Sequence, residues 1–139
     1  MVKGGFIMYK HILVAVDGSD NSMRALQEAI HLKSKVTLLS VVSAEDAKDA
    51  VLHYQEDSIM HRKHQLAHMI SLLEDTNIQY ELLVVHGEVC ETIIKTSQSG
   101  NYDLLVIGSR GLNRFQEAVI GSVSKRIIRE VKIPVLVVK

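Results

Sequence analysis

Three glycines in the last third of the chain have a spacing that could bind phosphate. Gly108 and Gly111 directly follow an apolar run, and nine residues then separate Gly111 from Gly121 and Ser122. Glycines after a strand let backbone amides approach a phosphate closely, and the first turn of a helix offers unpaired amides to the same anion. The pattern is therefore typical of a phosphate site, and a glycine turn followed by a helix cap explains these glycines equally well.

The charge distribution points to the same segment. Sixteen basic and sixteen acidic side chains balance over the 139 residues, so the whole chain shows no electrostatic preference for nucleic acid or for an anionic membrane. Residues 1–107 hold 9 basic and 14 acidic residues, whereas residues 108–139 hold 7 basic and 2 acidic ones. The polar side chains that this segment offers to a phosphate are Ser109, Arg110, Arg114, Ser122 and Ser124.

Several other phosphate-handling classes are excluded by their motifs. The chain has neither the G-x-x-x-x-G-K-[ST] of P-loop NTPases nor a G-x-G-x-x-G after its first strand. A phosphate-receiver domain needs an acidic cluster at its first strand, which Asp17 and Asp20 could imitate, and an aspartate at its third. The third apolar run ends instead at His86 and Gly87.

The elements that position these residues alternate between strands and helices. Apolar, β-branched runs predict strands at residues 11–16, 36–42, 80–85, 103–107 and 134–138. Helices are predicted from a cap within residues 19–22, over residues 44–75 as one or two helices, after Gly87, and over residues 122–131. The second run is so apolar that both faces of its strand should be buried.

This alternation predicts an α/β fold with a parallel sheet. Ligands of such sheets bind beyond the carboxyl ends of the strands. The loops that matter for chemistry are therefore expected at residues 17–22, 40–45, 86–88 and 108–122.

Length and cysteine content bound the class of protein. A chain of 139 residues favours one domain, which we place at residues 8–139, with residues 1–7 as an N-terminal extension or a remnant of cloning. The single cysteine excludes an intramolecular disulfide framework. Together with the lack of a signal-peptide core or a long apolar span, this predicts a cytoplasmic protein.

With these elements in place, the chain resembles the ATP-binding branch of the universal stress proteins. The G-2x-G-9x-G-S motif is preceded by DLLVIGSRG and followed by a basic helix and IPVLVV. The similarity also includes YKHILVAVDGS and TLLSVV, and it extends over residues 9–139. The resemblance implies a doubly wound, five-stranded parallel sheet in the order 3-2-1-4-5, with helices on both faces. It also implies a homodimer joined through the last strand.

The resemblance assigns ligand roles residue by residue. The adenine and ribose are expected beside Ala15, Val16 and Asp17, with the adenine edge at the backbone of Val41. Ile107 and Gly108 are expected along the nucleoside. The phosphates are expected at Gly111, Gly121, Ser122 and Val123, with Ser124 and Arg110 close by. For Asp17 the alternative is a strand-end turn residue that binds its own loop backbone.

The function that follows is an ATP-binding stress-response or signalling module whose bound nucleotide biases a homodimer or partner surface. The expected cofactor is ATP or ADP, with Mg²⁺ or Mn²⁺ held by the phosphates and by no protein side chain. No nucleophile or general base can be assigned, so at most very slow ATP hydrolysis is expected. The alternatives are a nucleotide-independent dimeric interaction module and, less favoured, a slow ATPase. Neither nucleic acid nor membrane is expected as a partner.

Two further features have ordinary explanations. His53, His61, His64 and His68, with Asp57, have spacings that suit a metal, but they lie opposite the apolar face of their helix and are expected to be solvated. Cys90 shares an apolar stripe with Val89, Ile93 and Ile94, so a buried, inert thiol is expected.

Overall fold

Five strands and four helices form the described part of the chain. The computed structural model describes residues 9–16, 20–43, 56–109 and 121–139, with only the backbone path at residues 20 and 56–62. In chain order the elements are β1 His11–Val16, α1 Asp20–His31, β2 Lys35–Val42, α2 Glu56–Asp75, β3 Tyr80–His86, α3 Val89–Ser99, β4 Leu104–Gly108, α4 Ser122–Glu130 and β5 Val135–Val138. The predicted strands, and the helices predicted after β1, after Gly87 and over residues 122–131, are therefore present, with ends that differ by at most two residues.

The five strands form one parallel sheet in the order β3-β2-β1-β4-β5, which confirms the predicted topology. β1 is central, and its Ile12 is paired with Val36 of β2 on one side and with Leu104 of β4 on the other. β2 is buried over nearly its whole length, as its apolar sequence predicts. β3 and β5 are the two edges.

Two hydrophobic cores lie on opposite faces of the sheet. On one face α1 and α2 pack against the strands through residues such as Leu26 and Met69. On the other face α3 and α4 pack through Ile93 and Ile127. Alternate residues of each strand supply the two cores, because successive side chains of a strand point to opposite faces.

α2 covers only part of the segment predicted to be helical. The helix spans Glu56–Asp75, and residues 44–55 lie outside the described residues. Met69 and Leu73 of its apolar face are buried, while His64 and His68 are exposed as expected. His53 and the side chains of Asp57 and His61 lie outside the described part. Among the side chains that are described, no group of three or more histidine, cysteine or acidic residues could hold a metal.

The chain turns away from β1 and from β4 in opposite directions. From β1 it passes through α1 to β2, and from β4 it leads through α4 to β5. The carboxyl ends of β1 and β4 are therefore the point where strand order reverses, which is where such sheets bind ligands. Within the described ranges, no helix has the length and apolar character needed to cross a membrane.

Candidate functional site

A pocket of about 340 Å³ lies at the carboxyl ends of the three central strands. It lies on the sheet face covered by α3 and α4. The strand residues that line it are Ala15, Val16, Leu39, Val41, Ile107 and Gly108. The residues of α3 and α4 that line it are Val89, Ile93, Val123, Ser124 and Ile127. Ser22 of α1 and Ser43, which follows β2, complete the described lining.

The predicted ligand residues divide into three groups. Those that line the pocket are Ala15, Val16, Val41, Ile107, Gly108, Val123 and Ser124. Gly121 and Ser122 lie at the start of α4, outside the pocket's lining. Asp17, Arg110 and Gly111 lie outside the described residues, as does Arg114. Apolar residues of β1, β2 and β4, far apart in sequence, thus meet in one cavity.

Gly108 has a packing reason for being glycine. A Cβ atom at Gly108 would lie 2.6 Å from the carbonyl oxygen and 2.7 Å from the carbonyl carbon of Asn21. These are backbone atoms in the first turn of α1, so no side-chain rotation would relieve the contact. The structure thus gives Gly108 a packing role beside helix α1, and its place along the nucleoside stays a prediction.

Ser109 is not available to a phosphate, contrary to the expectation from sequence. Its amide donates to the carbonyl oxygen of Val138 at 2.8 Å, and its hydroxyl lies 3.3 Å from the same oxygen. The residue is buried. The amide and hydroxyl of Ser109 thus link the end of β4 to the end of β5 and stabilise the sheet.

No described side chain caps the first turn of α4. Gly121 is the N-cap residue, with φ −68° and ψ 166°, and among the described residues no side chain accepts a hydrogen bond from the first amides of the helix. This backbone conformation is open to any residue, so the backbone itself does not require glycine at position 121. The first turn also carries no acidic residue. Uncapped amides and the positive end of the helix dipole make this turn suitable for an anion.

Residues missed from the sequence complete the pocket. They are Ser22, Leu39, Ser43, Val89, Ile93 and Ile127. A signal was present for some of them, since Leu39 and Ser43 lie two residues either side of Val41 and therefore share its face of the strand. For Ser22 no local signal distinguishes a pocket residue from a helix-capping serine.

The described lining of the pocket contains no charged side chain. Its polar side chains are the hydroxyls of three serines, two of which, Ser22 and Ser124, are almost fully buried. Such a cavity suits the neutral part of a ligand and offers hydroxyls for orientation. It contains no described acid, base or nucleophile–base pair.

Charged residues lie behind the helical wall of the pocket. Arg126 of α4 donates from Nη1 to Glu88 Oε1 at 3.0 Å and from Nε to Glu130 Oε2 at 3.0 Å. The hydrogen bond from Arg126 lowers the pKa of Glu130, and the bond with Glu130 raises the pKa of Arg126. Cys90 of α3 is buried as expected, and this burial raises the pKa of its thiol; that the thiol is inert stays a prediction.

Comparison with known sequences identifies the family. The sequence model of the Universal stress protein family matches residues 8–139. The Bacillus subtilis universal stress protein YxiE is 28% identical over 148 residues, which cover 95% of this chain and all of that protein. The solved structure of MJ0577, from Methanocaldococcus jannaschii, is 28% identical with a TM-score of 0.80 and covers 96% of this chain and 97% of its own.

Some solved structures of the same fold contain adenine nucleotides. An Arabidopsis thaliana universal stress family protein with AMP bound is 24% identical, has a TM-score of 0.67 and covers 94% of this chain and 91% of its own. An Archaeoglobus fulgidus universal stress protein in complex with dAMP is 20% identical, has a TM-score of 0.64 and covers 96% of this chain and its own whole length. At these identities the likeness shows the fold alone.

Proposed function

The chain belongs to the universal stress protein family, and from that membership and its pocket we propose that it is an adenine-nucleotide-binding module of the ATP-binding branch. The observation that carries this proposal is the apolar pocket at the strand-order reversal, with the uncapped turn of α4 as the start of one of its walls. In this proposal the base and ribose occupy the pocket and the phosphates lie toward the first turn of α4. Asp17, Arg110 and Gly111 remain proposed contacts.

The size and lining of the pocket support a nucleoside. A volume of about 340 Å³ lies in the range of small-ligand sites, and apolar walls from the sheet and from both helices suit the flat faces of a base. Phosphates carry charge that this lining cannot compensate. The amides at Gly121 and Ser122 can compensate it, because the start of a helix binds anions.

The end of β2 favours adenine over guanine. The carbonyl of Val42 accepts a hydrogen bond from the amide of Gly87, on the side of β3. Successive carbonyls of a strand point to opposite sides, so the carbonyl of Val41 points toward the β1 side, one residue beyond Ser40, the last residue of β2 with a described partner in β1. An acceptor at this place suits the 6-amino group of adenine and opposes the 6-oxo group of guanine. The adenine nucleotides bound by structural neighbours support the same choice.

The polar groups of the described lining fit a metal ion that is held by the phosphates of the ligand and not by protein side chains. Hydroxyls and backbone groups, without a carboxylate, make a poor site for Mg²⁺ or Mn²⁺, which prefer carboxylates, phosphates and water. The phosphates themselves would hold the cation, which would neutralise their charge. The proposed metal therefore involves no protein ligand among the described residues.

In this proposal the signal is carried by ATP being bound, more than by its hydrolysis. No described residue of the pocket can activate a water, and switch GTPases without their helper arginine hydrolyse at about 10⁻⁴ to 10⁻³ per second. We expect ATP hydrolysis no faster than that order, measured as phosphate release from protein free of contaminating ATPases. Turnover at about one per second that is lost in Gly121→Val would instead make the protein an enzyme.

Gly121→Val tests the proposed site. The backbone conformation at this residue is open to valine, while the side chain would project where the phosphates are expected. We expect calorimetry to show saturable ATP binding to the wild type, GTP binding at least about tenfold weaker, and ATP binding to Gly121→Val at least about tenfold weaker. A urea midpoint close to the wild-type value is the control for folding. Unchanged ATP affinity in the folded variant would refute the phosphate site.

One observation favours the second candidate, a nucleotide-independent interaction module. Gly108 and Ser109 are explained by contacts with Asn21 and Val138, without any ligand. If the other residues of the glycine motif also have only packing roles, the functional feature of this chain would be an interaction surface. Mass spectrometry of the denatured, freshly purified protein separates the candidates, because a nucleotide-binding module is expected to release adenine nucleotide and an interaction module is not.

The proposal includes a homodimer in the cytoplasm. β5 is an edge strand, and Leu136 within it is 39% exposed. An unpaired apolar edge is a liability in a monomer, and a second copy related by a twofold axis would cover it. Nucleotide in the pocket is then positioned to bias the dimer, because Ser109 links the end of β4 to β5.

A further inference from the structure

The helical wall of the pocket depends on how two helices lie against each other. Val89 and Ile93 come from α3, whereas Val123 and Ile127 come from α4. Each helix packs on the sheet through its own apolar residues. The separation between the two helices therefore determines the width of the pocket along that wall.

Arg126 joins the two helices on the side facing solvent. Its guanidinium is held on its own helix by Glu130, one turn later, at 3.0 Å. The same group reaches across to Glu88, also at 3.0 Å. Because Nε is fixed by the first carboxylate, Nη1 is already oriented toward the second, which lowers the conformational cost of the contact between the helices.

Glu88 is the residue at which α3 begins. Its Oε2 accepts the amide of Glu91 at 3.3 Å and so caps the helix, while its Oε1 accepts Arg126. The next residue along the chain is Val89, which lines the pocket. On α4, Arg126 lies between Val123 and Ile127, which also line it. The ion pair thus connects the backbone next to one wall residue with the helix turn that holds two others.

We propose that Arg126 is a positioning residue for the nucleotide pocket, holding α4 at a fixed distance from the first turn of α3 without touching the ligand. The inference rests on the proposed adenine-nucleotide function. It adds that affinity depends on a contact outside the pocket. This contact is important for the start of α4, because no side chain of the described residues caps the turn that is expected to meet the phosphates.

Comparing ATP with adenosine distinguishes positioning from direct charge attraction. Arg126→Met keeps the aliphatic stem and removes the guanidinium. If Arg126 positions the wall, calorimetry should show the affinities for ATP and for uncharged adenosine falling by the same factor, about threefold to tenfold. Lys125→Met removes the same charge from the neighbouring exposed residue and should leave both affinities within about twofold of wild type. A loss confined to ATP would overturn the proposal, because only a direct electrostatic role predicts it.

Cys90 gives a second measurement that needs no nucleotide. It is the single cysteine of the chain, it is 7% exposed, and its Sγ lies 3.9 Å from the carbonyl oxygen of Val123 on α4. If α4 moves away from α3 in Arg126→Met, a disulfide reagent such as dithiobis(nitrobenzoate) should label Cys90 at least about threefold faster. Arg126 lowers the pKa of this thiol, so losing its charge would by itself slow labelling. A rate equal to or below wild type, once both rates are corrected for the thiolate fraction, would overturn the proposal.

The Glu88→Gln variant distinguishes the ion pair between Glu88 and Arg126 from the capping hydrogen bond between Glu88 and the amide of Glu91. Glutamine keeps an oxygen for the amide of Glu91 but removes the charge that Arg126 contacts. Compared at equal thiolate fraction, the single variant and the double variant with Arg126→Met should both label Cys90 at the Arg126→Met rate, since each breaks the same contact. Additive acceleration would contradict a shared role. A wild-type protein that binds neither ATP nor adenosine would refute the proposed function, while the labelling rates would still decide the role of Arg126.

Discussion

At the scale of single residues, glycine has different meanings at positions that share one motif. Gly108 makes room for the backbone of α1, and Gly121 adopts a conformation that does not itself need glycine. The motif singles out both residues in the same way. It cannot say whether the space beside each one belongs to a ligand or to a neighbouring helix, because that depends on packing between distant segments.

A pair of glycine variants measures the packing role of Gly108. Gly108→Ala places Cβ against backbone atoms of Asn21, so we expect the free energy of unfolding to fall by about 1–3 kcal/mol in urea titrations. Gly87→Ala is the matched control, because the new Cβ would meet Thr92 Oγ1 at 2.6 Å, the end of a side chain that can rotate. Its loss of stability should be clearly smaller. Equal losses would contradict the backbone clash at Gly108.

The site residues that sequence could predict are those on strand ends. Ala15, Val41 and Ile107 follow from the rule that ligands lie beyond the carboxyl ends of parallel strands, together with the family motif. Ser109 was misread, because its bonds to Val138 depend on how β4 and β5 align. Ile127 was missed, because the orientation of a helix around its own axis decides which buried residue also faces a cavity.

At the scale of elements, a row of polar side chains crosses three strands at the end of the sheet opposite the pocket. His11 of β1 donates from Nε2 to Thr37 Oγ1 of β2 at 2.7 Å, and that hydroxyl donates to Glu81 Oε1 of β3 at 2.9 Å. The ring of His11 also lies 4.5 Å from that of Tyr102. The row links the three strands through the fully buried Thr37 and ends at the exposed Glu81.

This row makes stability depend on pH through His11. Burial, with Lys35 nearby, lowers the pKa of His11 below its ordinary value of 6.5. Between the folded pKa and 6.5 the unfolded chain binds more protons, so stability is retained above about pH 6.5 and lost as pH falls through this window. We therefore expect His11→Gln to show a smaller drop in urea midpoint between pH 7.5 and 5.5 than wild type. His64→Gln, at an exposed position of α2, is the control and should keep the wild-type drop.

Strands and helices could be distinguished in the sequence because apolar residues recur with a different period in each. The run at residues 36–42 could only be a buried strand, and the structure shows β2 there. Register was not predictable: nothing in the sequence of β1 alone pairs Ile12 with Val36 and Leu104. Met69 shows the same limit within a helix, since an unremarkable methionine is among the most buried side chains of the described core.

At the scale of the whole molecule, the two edges of the sheet differ in what they predict about assembly. We expect a dimer through β5, so light scattering at micromolar concentration should give about twice the 15.5 kDa chain mass. Leu136→Lys places a charge on that edge and should give the monomer mass. Val84→Lys is the matched control on β3, at a side chain that is 51% exposed, and should remain dimeric. A dimer that persists in Leu136→Lys and dissociates in Val84→Lys would place the interface on the other edge.

The strand order came from the family resemblance and not from local sequence. Alternating elements predict a parallel sheet, but the reversal that places β4 beside β1 is set by which helix packs on which face. Pairwise hydrophobicity does not distinguish this order from others, because β2, β1 and β4 are all buried and apolar.

The central position of β1 also has a consequence for synthesis on the ribosome. β1 is made first, and β2 and β3 add to one side of it in sequence, but its other side waits for β4. Roughly 90 residues separate Ile12 from its partner Leu104, so at about 5–20 residues per second that side stays unpaired for about 5–18 seconds. During this interval the nascent chain exposes an apolar strand edge whose backbone groups can form hydrogen bonds. Pairing of this edge with other chains then competes with the addition of β4 to the sheet.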